Sequence, residues 1–348
     1  MDGDATWAFV ERFTEMAAGA TTIGLLAVAD RSGLLRSMAD AGAVTSADAA
    51  QSAGLEERYV TEILSGLAAA GVVTYDAGEA TFTLPDEHAV CLADDTSPFS
   101  MTGWLDLLPE TLAHVPTIAT ATRDGGGIRF DEYDEIIVRG IDRASSPGMN
   151  ALLTRRWLAT MPDVVARLVA GGSVADVGCG SGAAVAAMAR AYPAATVYGF
   201  DLNEASIERA RTRTAQFDNA IVSVCAADEL PIDVGFDLVT TFDVVHDLAD
   251  PLGCVSRIRE GLAGEGTYLM MEPRASSDLE DNLSPRGALL YGVSTLHCMS
   301  QSLAMDGVGL GTAWGSRRAE ELCREAGFTS FAELPIESPF SAFYRVGI

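Results

Sequence analysis

Three glycines spaced one residue apart, Gly178, Gly180 and Gly182, follow an apolar run ending in Asp176 and Val177 and precede the alanine-rich stretch AAVAAMARAY. Glycines at such a junction let the backbone bend tightly and let a ligand approach the peptide groups. A helix starting there also offers unpaired N–H donors. Residues 174–182, VADVGCGSG, therefore read as a ligand cradle. A second acid, Asp201, closes the apolar run ATVYGFD nineteen residues beyond Gly182. A carboxylate there can accept both hydrogen bonds of a ribose diol. A third candidate is His246, flanked by Val245 and Asp247, because an imidazole near its ordinary pKa can take a proton from a hydroxyl.

The run from Gly178 also satisfies the loose dinucleotide pattern GxGxxG/A, so a nicotinamide-dependent oxidoreductase is one reading of the glycines alone. Asp176 sits where a cation could rest. That suits the methionyl ammonium of S-adenosylmethionine better than a pyrophosphate.

Holding these groups requires a sheet. From residue 173 onward the chain alternates: strand 173–177, strand ATVYGFD, helix EASIERARTRTAQF, strand AIVSVCA, strand FDLVTTFDVV, helix DPLGCVSRIREGLA and strand GTYLMME. An insertion over 273–315 follows, then the helix SRRAEELCREAG and two closing strands, FAELPIE and SAFYRVGI. Such alternation predicts an α/β fold, a parallel sheet wrapped by helices, with the closing pair antiparallel. Phe242 and Asp243, at the carboxyl end of the fourth strand, then fall beside the ligand crevice. The insertion holds Leu, Tyr, Met and Trp with little charge after Arg286. It is expected to form part of an apolar pocket for a neutral, hydrophobic small molecule. Trp104, Phe130, Tyr133 and Trp157 are read either as core or as pocket lining. His88, His114 and His297 have no motif around them and read as structural or surface groups, although His297 lies in that insertion.

Ahead of this region, residues 5–38 read as helical, with Trp7, Val10, Phe13 and Met16 at three- and four-residue intervals. A capped short helix from Thr45, a turn at Gly54, the helix LEERYVTEILSGLAAAG and the two-stranded VVTYDAGEATFTL then give the order of a winged helix. Its second helix carries Glu56, Glu57 and Glu62 against Arg58 alone. That charge does not suit phosphates. The expected roles are homodimerisation and roofing a substrate pocket, and the expected division is 1–93, 94–165 and 166–348. A non-catalytic regulator that senses its cofactor through the winged helix is the remaining alternative, and it would need a basic face.

The 348 residues hold 49 acids against 23 bases, a net charge of −26, and every base is arginine. Such a surface repels nucleic acid and anionic membranes. Either a GC-rich genome or a salty cytoplasm accounts for the missing lysine, and the acid excess favours the latter. Six cysteines lie scattered without metal-ligand spacing, so neither a disulfide framework nor a metal site is expected, and a cytoplasmic location fits. The apolar run 17–29 is too short to span a bilayer.

Taken together, VADVGCGSG, GFDLN, CAADELP and FDLVTTFDVVHDLADP resemble the motifs of class I S-adenosylmethionine-dependent methyltransferases, in particular those with an N-terminal winged helix. The resemblance implies a Rossmann-like seven-stranded sheet and S-adenosylmethionine as cofactor. It implies that Asp176 and the backbone at Gly178, Gly180 and Gly182 hold the methionyl end, that Asp201 takes the ribose and that Leu202 lies against the adenine. Where the family often has an acid facing the adenine, this chain has Ala226 and Ala227 before Asp228, leaving the Ala227 backbone or Asp228 for that contact. Val245-His246-Asp247 is similar to the Leu-His-Asp segment of small-molecule O-methyltransferases. The likeness implies His246 as general base and Glu272 as the acid that orients it. A helix-capping or cofactor-side histidine is the other reading. Leu248 replaces the family's Trp, and the family's second acid falls near Thr312 or Ala313.

Overall fold

The computed structural model describes residues 2–348 and divides into two compact units. One runs to Glu110 and includes Arg139–Pro147; the other comprises Thr111–Val138 and Gly148–Ile348.

The first unit begins with a 29-residue helix, α1 (Gly3–Arg31), whose N-terminus is capped by the Asp2 side chain. Gly33, in the left-handed region, turns the chain into α2 (Leu34–Met38). The helices α3 (Ser46–Ala53) and α4 (Glu57–Ala69) follow, with Thr45 capping α3 by accepting from the Asp48 amide. The wing is the antiparallel pair β1 (Thr74–Asp76) and β2 (Thr81–Thr83). Leu26, Leu34, Leu35, Leu64, Leu67 and Phe82 form the core. The winged-helix order read from the sequence is therefore present. The apolar spacing of α1 does mark a helix, but its first half is not core: Trp7, Phe13 and Met16 are 69%, 60% and 51% exposed. Residues 139–147 are tied into this unit by charge. Arg139 and Arg143 both donate to the fully buried Asp106, and Arg143 also donates to Asp30. Burial alone would raise the Asp106 carboxyl, but the two guanidinium groups hold it below the ordinary range.

The second unit is built on a seven-stranded sheet: β3 (Ser173–Val177), β4 (Thr196–Asp201), β5 (Ala220–Val224), β6 (Phe236–Phe242), β7 (Leu262–Pro273), β8 (Ser330–Glu333) and β9 (Ser341–Gly347). Their spatial order is β5-β4-β3-β6-β7-β9-β8. The first five in that order are parallel, and β9 pairs antiparallel with both β7 and β8. The chain runs outward from β3 to β5 and then returns to β6 on the other side of β3, so the crevice between β3 and β6 is where an open sheet of this kind binds ligands. Behind the glycine loop, the helix Ala183–Ala191 buries seven consecutive residues, 183–189, five of them alanine. Small side chains let it lie close on the sheet. The insertion folds into helices Pro285–Val293 and Met299–Ala304 joined by a π-helical turn, Ser294–Cys298.

Candidate active site

The crevice is lined by the chain as it leaves the carboxyl ends of β3, β4 and β6. After β3, the amides of Gly178 and Cys179 both donate to the Phe200 carbonyl, which folds the glycine loop against β4. Gly178 has φ 72°, and a Cβ there would come within 2.5 Å of the Val244 side chain. Gly180 also has positive φ, 52°, but a Cβ would meet nothing within 4 Å. The two glycines thus serve different ends, the first for internal packing and the second for an open face. Gly182 stands at the N-terminus of the helix that follows.

Asp201 ends β4 and joins two loops. One of its oxygens accepts from the Gly180 amide and the other from the Asn203 amide, each at 2.8 Å. Each oxygen keeps a further lone pair. Burial pushes its carboxyl up, against those two hydrogen bonds. Asp176 lies beneath the loop, 2% exposed, and accepts from the Thr240 hydroxyl at 2.8 Å. Its burial raises the carboxyl to about 7, because no cation compensates it. Leu202 projects from the crevice edge, 68% exposed. Ala226 and Ala227 are half-buried beyond β5, whose end is tied to β4 by the Cys225 amide donating to the Asp201 carbonyl.

Beyond β6, Phe242 packs its ring 6.2 Å from that of Trp157, and Trp157 in turn contacts Phe343. Trp157 is core, one of the two readings its sequence allowed. Asp243 adopts φ 55°, a left-handed conformation that Asp tolerates and that tends to occur at functional turns. The residue is exposed. The protein packed around its carboxyl pushes it up; His246 opposes that and Glu272 and Asp247 add to it.

His246 sits on the single turn Val245–Asp247, 3% exposed. Its Nδ1 is 2.6 Å from Glu272 on β7, whose other oxygen accepts from the Val245 amide at 2.9 Å. The indole N–H of Trp314 also donates to Glu272, at 3.3 Å. Three donors therefore fix this buried carboxylate, and it fixes the imidazole. The other ring nitrogen, Nε2, faces the Asp247 carboxylate at 3.1 Å. Burial works against protonation of His246, but Asp247 and Glu272 outweigh it and hold the ring well above the ordinary histidine range. The cysteine spacing gave no sign of a metal site, yet the ligand atoms of His246, Asp247 and Cys298 come within 4.8 Å of one another. Proton transfer through Nε2 and coordination by it are the two things this corner can do.

Trp314, Cys298 and Asp247 were absent from the sequence expectations as site groups. Only the adjacency of Asp247 to His246 could have marked one of them. His297, expected as structural or surface, is buried at 6% exposure, and Tyr133, one of the aromatics left open, packs against it with ring centroids 4.6 Å apart. His88 has a structural partner, the Val72 carbonyl at 2.7 Å.

A family model described as a methyltransferase domain matches residues 168–327, and one described as an Rv2258c-like winged HTH domain matches residues 19–94. Among curated proteins, trans-aconitate 2-methyltransferase of Afipia carboxidovorans is 29% identical over 151 residues, covering 43% of this chain and 53% of that protein. The chain thus matches about half the length of that relative. Similar solved structures include human N-acetylserotonin methyltransferase in complex with S-adenosylmethionine, with a TM-score of 0.72, 17% identity and coverage of 100% of this chain and 98% of that one. The mitomycin 7-O-methyltransferase MmcR has a TM-score of 0.67 at 18% identity, with 99% of each chain covered. NcsB1, an O-methyltransferase from neocarzinostatin biosynthesis solved with S-adenosyl-L-homocysteine and 1,4-dihydroxy-2-naphthoic acid, has a TM-score of 0.62 at 22% identity, covering 94% and 96%. At these identities the likeness to solved structures is one of fold. The chain thus carries a methyltransferase domain over residues 168–327 and a winged helix-turn-helix domain over residues 19–94, in a fold it shares with these solved methyltransferases.

Proposed function

We propose that the protein transfers a methyl group from S-adenosylmethionine to a hydroxyl of a small, largely apolar acceptor. The observation that carries this reading is the pairing, at the carboxyl ends of one sheet, of a carboxylate locked to the glycine loop (Asp201 to Gly180) with an imidazole locked to a buried acid (His246 to Glu272). When bound, S-adenosylmethionine supplies an electrophilic methyl group on a sulfonium centre. The residues present fit it. Asp176 is a buried carboxylate without a cation, which an ammonium would satisfy. Asp201 has lone pairs left for a diol, and the open face at Gly180 admits a ligand to the backbone. On this reading Asp176, Gly178, Gly180 and Gly182 hold the methionyl end, Asp201 the ribose, Leu202 with Ala226 and Ala227 the adenine side, and Phe242 and Asp243 the floor.

His246 receives the acceptor's proton on Nε2, and Glu272 is the positioning residue that fixes the ring through Nδ1. Because a sulfonium gives up its methyl group by leaving as a neutral thioether, displacement is easy once reactants are aligned, and alignment and exclusion of water supply most of the rate. The acceptor side carries Asp247 and Glu272, a charge that suits a neutral acceptor better than a polyanion such as aconitate. The exposed apolar face of α1, with Trp7 and Phe13, supports homodimerisation through the N-terminal unit.

Calorimetry with S-adenosyl-L-homocysteine tests the cofactor assignment. Wild-type protein binds it, and Asp201→Asn weakens binding on the order of tenfold to a hundredfold, the worth of a hydrogen bond to a charged group. Unchanged affinity in that variant would remove Asp201 from the site.

A further inference from the structure

Six buried side-chain polar atoms among the described residues lack a protein hydrogen-bond partner, and three of them belong to Tyr133, His297 and Gln301; a fourth, Asp247 Oδ1, faces His246 Nε2 at 3.1 Å. Each such group costs about 1–3 kcal/mol if left unsatisfied, so their concentration in one neighbourhood calls for a common explanation. Tyr133, His297 and Asp247 are neighbours, and Gln301 lies on the same helical stretch as His297. The rings of Tyr133 and His297 are 4.6 Å apart. His297 adjoins Cys298, whose thiol lies within 4.8 Å of ligand atoms on His246 and Asp247. Gln301 follows His297 by four residues, one helical turn on. Tyr133, His297 and Gln301 are each at least nine-tenths buried, at 7%, 6% and 7% exposure. The Tyr133 hydroxyl is near Ser300 but makes no hydrogen bond of good geometry to it.

The backbone is also irregular here. Residues Ser294–Cys298 form a π-turn between two α-helices, and both His297 and Cys298 are buried on it. A turn of this kind is uncommon and recurs at functional sites.

We propose that His297, with Tyr133 and Gln301, reads a second, uncharged polar substituent on the methyl acceptor, set apart from the hydroxyl that meets His246. This deepens the assignment of His246 as the base and rests on it. The chemical class follows from the groups. His297 is held neutral by its burial, which keeps its ring below the ordinary histidine range. Tyr133 and Gln301 are uncharged, no arginine is among these groups, and Asp247 is a carboxylate. A hydroxyl on the acceptor can donate to or accept from each of the three neutral groups. A carboxylate would find no arginine among these groups to pair with.

The test uses full-length protein saturated with S-adenosyl-L-homocysteine, whose binding is measured first so that a failure of the cofactor reading shows separately. The probes are 2-naphthol, the dihydroxynaphthalenes that add a second hydroxyl to it, and the hydroxynaphthoates that add a carboxylate instead. At least one dihydroxynaphthalene is expected to bind roughly tenfold or more tighter than 2-naphthol, with the hydroxynaphthoates weaker than either. His297→Phe should bring that ratio to about twofold or less, and His297→Gln should restore part of it. Gln301→Leu serves as the second variant if His297→Phe does not fold. Equal binding of naphthol and every diol, tighter binding of a hydroxynaphthoate, no binding of any diol, or a preference that survives His297→Phe would each overturn the assignment.

Discussion

His246 and Glu272, 26 residues apart in the chain, meet in the interior with Nδ1 2.6 Å from the carboxylate. That contact determines which ring nitrogen is available for chemistry. With Nδ1 committed to Glu272 and the carboxylate anchored by Val245 and Trp314, only Nε2 can accept a proton from a ligand, and the ring cannot rotate to exchange the two. Its ring nitrogens face Glu272 and Asp247 rather than a helix end, which leaves the base and the cofactor-side readings of this histidine.

A base must be neutral before it acts, and the two acids beside His246 hold it protonated above the ordinary histidine range. Methyl transfer should therefore rise with pH through an apparent pKa above the model-peptide value of about 6.5. Glu272→Gln removes one of those charges, so the rising limb should move to lower pH while kcat falls at least about tenfold as the ring loses its orientation. His246→Ala should cost on the order of 10²–10⁴ in turnover, with S-adenosyl-L-homocysteine affinity near normal. Activity should survive dialysis against a chelator. Loss with recovery on adding zinc would mean that Nε2, Asp247 and Cys298 coordinate a metal instead.

The cradle and the acid at 201 were legible because they are local: a strand, three glycines and a second strand end lie within one βαβ unit, and the spacing alone brings Asp201 to Gly180. The partner of His246 was legible only through family resemblance. Trp314 and the His297–Tyr133 contact were not legible at all. Their partners are remote in sequence, and a π-turn shifts side-chain directions in a way that 3.6-residue periodicity does not encode. The apolar spacing of α1 was read correctly as a helix, yet it could not say that Trp7 and Phe13 face outward, since a buried stripe and an interface stripe have the same period.

The two glycines should separate stability from binding. Gly178→Ala forces a left-handed alanine into Val244 and should cost about 1–3 kcal/mol in chemical denaturation. Gly180→Ala is strained at φ 52° but meets no atom, so it should lose less stability and more cofactor affinity. Equal losses of affinity without the stability difference would contradict the division of roles.

If the exposed half of α1 is a dimer face, Trp7→Glu combined with Phe13→Glu should move the protein from dimer to monomer in sedimentation without altering its helical circular dichroism. Both side chains are more than half exposed, so the monomer loses no packing of its own. A wild-type protein that sediments as a monomer at micromolar concentration would dismiss the interface.

Asp176 offers a proton count. Its carboxyl is raised to about 7 by burial, so near neutral pH a fraction of the ligand-free protein carries a proton there. A folded-state pKa above the unfolded one stabilises the fold at low pH, and that contribution is lost as pH rises through about 7. A bound ammonium reverses the balance by favouring the carboxylate. Binding of S-adenosyl-L-homocysteine at pH 6 should therefore release close to one proton, visible as a dependence of the binding enthalpy on the buffer's ionisation enthalpy, and the release should fade by pH 9. Asp176→Asn should abolish it. A release that persists in that variant would assign the proton to another group, and with it the cation-binding role.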